Sequence, residues 1–282
     1  MADCAQVLMR EGLRIARIFD VWRGNEIHAD GPQAEAVGRL CEELVVLLQQ
    51  GQHLDEATIR ALRPSLLVTQ GLCEVCAVSE GEVHRIASTL VPPARVVSLG
   101  ASTLEEVLTS IETLALAVGA EDEGRELVAG LRARMRRVHE TLKAARAPRP
   151  RVAVIEWTDP VFAAGHWVPD MVRRAGGIDA LATPGEHSHP RSVASVRDAA
   201  PDVIVFAPCG YALDRGREEA HAILARDDWG WARTKRVVVM DGNAYTSRPG
   251  PRLVDGIEIM ARLFNPGCFS PLDPARGAIL VP

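Results

Sequence analysis

Two thiols three residues apart, Cys73 and Cys76 in the stretch VTQGLCEVC, form the closest cysteine pair in the sequence. At that spacing two sulfurs can close a redox disulfide, hold half of a metal site, or pack as small apolar side chains in a turn. Glu74 between them opposes thiolate formation, and thioredoxin-type couples carry small or Pro residues there. A second CxxC or a nearby HxxxH is absent, which argues against a zinc finger. Packing and a binding role both stay open, with Cys209 in PCG and His166 in GHW as further ligands for a soft transition metal. In GHW, Gly165 permits a tight turn and Trp167 supplies a flat face for an extended ring system. Glu156 and Asp159 in EWTDP could share acid/base work or serve as loop caps, while His187 and His189 in GEHSHP read as exposed loop residues. The hydrolase elbow GxSxG, the Walker loop and the dinucleotide fingerprint GxGxxG do not occur.

These residues need elements to position them. Short β-branched runs alternate with stretches of helical period, the pattern of α/β layers around a largely parallel sheet. The predicted strands are Arg14–Val21, Ser65–Thr69, Arg95–Ser98, Arg151–Glu156, Val203–Ala207 and Arg236–Met240, with helices such as Gln33–Gln50, Leu104–Val118 and Leu253–Leu263 between them. From Glu121 to about Ala145 one long helix is expected, because Leu127, Leu131, Met135, Val138 and Leu142 recur at helical spacing. Pro148 and Pro150 end it, and it reads as a rigid connector between two lobes. The cluster Arg132, Arg134, Arg136 and Arg137 on it reads as a solvated face. Ligands of open parallel sheets bind beyond the carboxyl ends of the strands. The loops QGLCEVC, WTDPVFAAGHW, PCG and DGNAYTSRPGPR all follow predicted strands, so they are expected to converge on a cleft between the lobes.

The bulk numbers narrow the function classes. With 282 residues, 47% hydrophobic and 24% charged, the chain can bury a substantial core. A net charge of -5 gives no broad basic field for nucleic acid or an anionic membrane. Six cysteines in this length do not make a disulfide scaffold. Arg10, Glu11, Arg14 and Arg17 interrupt the apolar residues near the start, and no run approaches the roughly 20 apolar residues of a membrane span. As written, the sequence reads as cytoplasmic, or as periplasmic if the true start lies upstream.

The segments LRPSLLVTQGLCEVCAVS, EWTDPVFAAGHWVPDMVRRAGG, PDVIVFAPCGY and VDGNAYTSRPGPRLVDGIEIMARL together resemble one family, over roughly Gln33 to Pro266. It is the class III substrate-binding proteins, in the branch that includes vitamin B12, siderophore and haem receptors of ABC importers. The resemblance implies two Rossmann-like lobes with parallel sheets, joined by a single long helix, with ligand held between them. It divides the chain into an N-terminal lobe at 1–119, a connector at 120–147, a C-terminal lobe at 148–266 and a tail at 267–282, the tail expected to be loosely held. The family's usual opening strand and its HEC-like turn have no counterpart, so the first lobe reads as incomplete.

Carried over residue by residue, the resemblance gives a cleft lined by Cys73, Cys76, Glu156, Trp157, His166, Trp167, Cys209, Tyr245, Ser247 and Arg248. Cobalamin, another corrinoid, or a haem-like metal chelate would suit it, and Cys73, Cys76, His166 and Cys209 would be the metal ligands. One alternative is a cytoplasmic enzyme derived from this fold, using those groups as a metal or thiol site. Another is a module whose incomplete first lobe is covered by a second copy of the chain.

Overall fold

The computed structural model describes residues 56, 59–60, 63–69, 80–272 and 278–281. The predicted strand Arg14–Val21, the predicted helix Gln33–Gln50, the opening of the first lobe and the Cys73/Cys76 turn lie outside these residues. The chain forms two compact units, one taking in the residues to Ala101 and Leu108–Ala129, the other Ser102–Val107 and the residues from Gly130 onward.

In the first unit β1 (Leu66–Thr69) runs parallel to β2 (Arg95–Ser98), in register from Leu66 opposite Arg95 to Thr69 opposite Ser98. Helix α1 (Glu80–Thr89) lies between them in sequence and places Ile86 against Ile59 and Leu90, a small cluster that Leu67 and Ala94 also pack on. A parallel pair needs such a crossover, because no tight turn can reverse the chain twice. Helix α2 (Leu104–Val118) follows, opened by Glu106, whose carboxylate accepts from the Ser102 and Thr103 N–H groups at 2.6 and 3.0 Å.

Helix α3 spans Glu121–Ala144, as its apolar period requires, with Val128, Leu131, Met135 and Val138 buried. Val128, at 0% exposed, takes the inward place expected of Leu127. The arginine face is not uniformly solvated. Arg134 is only 28% exposed and bonds Glu258 and Asp255, one turn apart on α8 (Arg252–Phe264). Burial works against its charge, but the Glu258 and Asp255 carboxylates outweigh it and raise the guanidinium's pKa. Arg132 pairs with the exposed Glu105, and Arg136 and Arg137 are exposed as expected.

The second unit is built on β3 (Arg151–Thr158), β7 (Val203–Phe206) and β8 (Arg236–Met240), consecutive parallel neighbours that start level, with Val152 opposite Val203 and Val203 opposite Arg236. Their sequences, RVAVIEWT, VIVF and RVVVM, are near-continuous apolar runs because both faces are covered. Ile155, Ile204, Phe206 and Trp229 are each 0% exposed, and burying a side chain of this kind contributes about 1.5–3 kcal/mol. On its other side β3 is shared. β5 (Ile178–Asp179) pairs in parallel with its start, and β4 (Val161–Ala163) pairs antiparallel with its end. β6 (His189–Pro190) then adds to β4, and β9 (Ala278–Val281) runs antiparallel along β8. That last pairing corrects the expectation of a loosely held tail. The helices α4 (Val168–Arg174), α5 (Val193–Asp198), α6 (Leu213–Leu224) and α7 (Gly242–Tyr245) complete the layers.

Candidate functional site

Three loops leave the carboxyl ends of β3, β7 and β8, and backbone bonds lace them together. The Cys209 N–H donates to the Glu156 carbonyl at 2.9 Å, joining the β7 loop to β3. The Asn243 N–H donates to the Tyr211 carbonyl at 3.1 Å, joining the β8 loop to the β7 loop. Ser247 Oγ donates to the Gly242 carbonyl at 2.7 Å and accepts from the Gly210 N–H at 3.2 Å. Gly242 is forced by this crowding, since a Cβ there would lie 2.2 Å from the Pro208 carbonyl oxygen. Asp241 caps α7 by accepting from the Ala244 N–H at 2.7 Å; burial raises its pKa, opposed by that bond and by Arg252 and Arg248. Arg248 donates to Asn243 Oδ1 at 2.7 Å.

The corner after β4 is tighter. Gly165 has no room for a side chain, because a Cβ would stand 2.4 Å from the Ser188 nitrogen. His166 has a positive φ of 54° and is fastened on both sides, its N–H donating to the Glu186 carbonyl at 2.6 Å and its carbonyl accepting from Gly185 at 3.0 Å. Its Nε2 stands 3.1 Å from His187 Nδ1, with the rings orthogonal. Burial, then the neighbouring His187, lowers the His166 pKa, which favours the neutral ring. Trp167 is 5% exposed and its indole N–H donates to the Thr246 carbonyl at 2.8 Å. Glu156 is half-buried below this corner. Burial raises its pKa, and hydrogen bonds from Ser188 and the Gly165 N–H partly offset that rise. Asp159 is exposed, and its backbone carbonyl accepts from the Trp157 indole N–H at 3.1 Å.

An aromatic platform lies on the same edge of the sheet. Trp157 is 38% exposed and meets Tyr211 edge to face, ring centroids 5.6 Å apart. The Arg215 guanidinium stands 3.8 Å over the Tyr211 ring and donates to its hydroxyl at 2.9 Å. Cys209 is an exposed thiol on the loop that carries Tyr211. Among the described residues no group of three or more His, Cys, Asp or Glu side chains is set to hold a metal ion.

The family model of periplasmic binding proteins matches residues 17–244. The chain belongs to the periplasmic binding protein family. Its two-lobed α/β fold with parallel strands is shared by several solved members. A periplasmic heme binding protein from Pseudomonas aeruginosa superposes with a TM-score of 0.63 at 21% identity, over 80% of each chain. The periplasmic heme-binding protein RhuT from Roseiflexus sp. RS-1 gives 0.59 at 22%, over 77% of this chain and 82% of that one. The periplasmic vitamin B12 binding protein BtuF of Vibrio cholerae gives 0.54 at 18%, over 76% and 78%. No curated protein matches the sequence.

In this periplasmic binding protein the carried-over residues separate by environment. Cys73 and Cys76 lie outside the described residues. Glu156 and Trp157 lie near the end of β3, His166 and Trp167 follow β4, Cys209 follows β7, and Tyr245, Ser247 and Arg248 lie in the segment after β8, all in the second unit. The indole with an available face is that of Trp157, whereas Trp167, expected to offer one, is buried. His166 meets His187, a residue read from sequence as a plain loop histidine. Tyr211 and Arg215 were missed altogether. The signal for them was the tyrosine two residues after Cys209, with an arginine one turn further on.

Proposed function

We propose that the protein is a ligand-capturing component of an ABC-type importer, holding a metal chelate of the corrinoid or haem class on the platform of Trp157 and Tyr211. The observation that carries this reading is an exposed indole in edge contact with a tyrosine whose ring is clamped by Arg215, placed where loops of parallel strands meet. A broad flat macrocycle suits an aromatic face, and a macrocycle edged with carboxylates suits the guanidinium beside it. Membership of the family supports a small-molecule binding protein acting in the periplasm. Relatives of the same fold described as heme and vitamin B12 binding proteins support the chelate class. No helix among the described residues is long and apolar enough to cross a membrane, which fits a component that passes cargo to a separate channel.

Cys209, Tyr245 and Arg248, from the β7 and β8 loops of the second unit, belong to the binding edge in this proposal. The enzymatic alternative draws no support from the family or from the geometry. Haemin and cyanocobalamin titrated into the full chain, followed by visible absorption and by melting temperature, test the reading. Binding of one of them at about 1 μM or tighter is expected. Failure of both to bind at roughly 100 μM would overturn the chelate class while leaving the fold untouched.

A further inference from the structure

We propose that His166 and His187 form a two-imidazole site for a borderline divalent cation of the Zn2+, Ni2+ or Cu2+ kind, independent of any chelate on the aromatic platform. His166 Nε2 and His187 Nδ1 stand 3.1 Å apart, with ring centroids 5.0 Å apart and planes at 90°. Zinc binds imidazole nitrogen at about 2.0–2.1 Å, so two such nitrogens on one tetrahedral ion are separated by roughly 3.3 Å. The pair already has that bite to within a few tenths of an ångström. Without a cation, one ring donates its N–H to the other. When a cation enters, that hydrogen moves through solvent to the far nitrogen of the same ring. Both imidazoles then ligate in the neutral form, with no net loss of a proton.

The backbone keeps the two rings together before any ion arrives. Residues 165–166 and 185–188 are pressed into contact by the His166 to Glu186 and Gly185 to His166 bonds, and a methyl group at Gly165 would collide with Ser188. His166 holds a left-handed conformation that histidine adopts more readily than most non-glycine residues but still at some cost. His187 is exposed, so a small rotation of its ring turns both lone pairs toward one point open to solvent. Water completes the coordination, which sets the affinity in the micromolar range. Two cis nitrogens also distinguish this site from an axial position on a macrocycle, whose four in-plane positions are filled.

The test uses the full chain with all six cysteines changed to Ser, so that thiols do not compete. Zn2+ is titrated calorimetrically, and Cu2+ added below one equivalent is observed by pulsed EPR for the remote nitrogens of coordinated imidazole. One Zn2+ per chain with a Kd of about 1–10 μM and a two-imidazole Cu2+ signature are expected. His187→Gln is expected to weaken Zn2+ roughly tenfold or more and to reduce the signature to one imidazole, with far-UV dichroism and melting unchanged. His166→Asn, which tolerates the same backbone, is expected to do likewise. Unchanged Zn2+ affinity in His187→Gln would overturn the proposal, as would the absence of binding below about 1 mM in the parent chain. Haemin or cyanocobalamin binding that survives His187→Gln separates this outcome from the platform's.

Discussion

Trp157 and Trp167 leave the same strand region ten residues apart, and the molecule uses them in opposite ways. Trp157 is 38% exposed, its indole N–H bonds a carbonyl two residues along its own loop, and its ring touches Tyr211 by an edge. Trp167 is 5% exposed and reaches the Thr246 carbonyl, 79 residues away in the chain. One indole is a surface tool and the other is a rivet between the β4 and β8 loops. Residue type and nearness to a motif do not separate these roles. What separates them is whether the ring face is already covered by protein, and whether the N–H is held within its own loop or across to a distant one.

The largest effect expected from this contrast is on stability. Trp167→Ala should cost about 3–5 kcal/mol, because it opens a cavity and strands the Thr246 carbonyl. Trp167→Phe keeps most of the packing and should cost about 1–2 kcal/mol. Urea unfolding of both variants checks the pair. A loss below about 1 kcal/mol in Trp167→Ala would erase the distinction between the two indoles.

Next comes the segment that clamps the Trp167 corner. Asp179 turns it by accepting from the Leu181 and Ala182 N–H groups at 2.8 and 2.9 Å, while its Oδ2 has no hydrogen-bond partner among the described residues. Burial pushes its pKa from the ordinary 3.8 to about 6, against the pull of those two bonds and of Arg191. The folded state therefore holds an extra proton between those values, so this group's contribution declines as pH rises from about 4 to 6, by about 2–3 kcal/mol at most. Above that window the cost is fully present. Asp179→Asn keeps the acceptor and removes the charge, so it should gain about 1 kcal/mol near pH 7.5 and lose the downward slope. Denaturation midpoints across the acidic range read both. A slope that persists in the variant would assign the titration to another group.

Much of this framework was legible in the sequence. VIVF and RVVVM are apolar at every interior position, which only a strand covered on both faces needs, and β7 and β8 fall there to within one residue. The five-residue stripe likewise placed α3. β4, β6 and β9 were invisible because VFA, HP and AILV are too short for periodicity, and their pairing is dictated by neighbours distant in the chain. Arg134 was misread because charge patterning reports a helix face but not what packs on it, and Asp255 and Glu258 lie more than a hundred residues away. The site was legible as a set of loops and illegible as contacts. GHW marked the corner, yet His187 became its partner only through a φ of 54° at His166 and the backbone bonds around it.

On the other side of the contrast, Trp157→Ala should change stability by less than about 1 kcal/mol while weakening chelate binding roughly tenfold. The smallest and most discriminating effect belongs to Arg215. It is exposed, so its contact with the Tyr211 ring is worth only about 0.5–1 kcal/mol and Arg215→Gln should leave the melting temperature nearly unchanged. Haem presents two carboxylates at its edge, whereas a corrin presents mainly amides, and a guanidinium favours the former. Arg215→Gln should therefore weaken haemin about threefold and leave cyanocobalamin unaffected. Equal weakening of both ligands would mean that Arg215 acts only by holding the Tyr211 ring. No change in either would place the ligand off the platform and return Trp157 to an ordinary exposed indole.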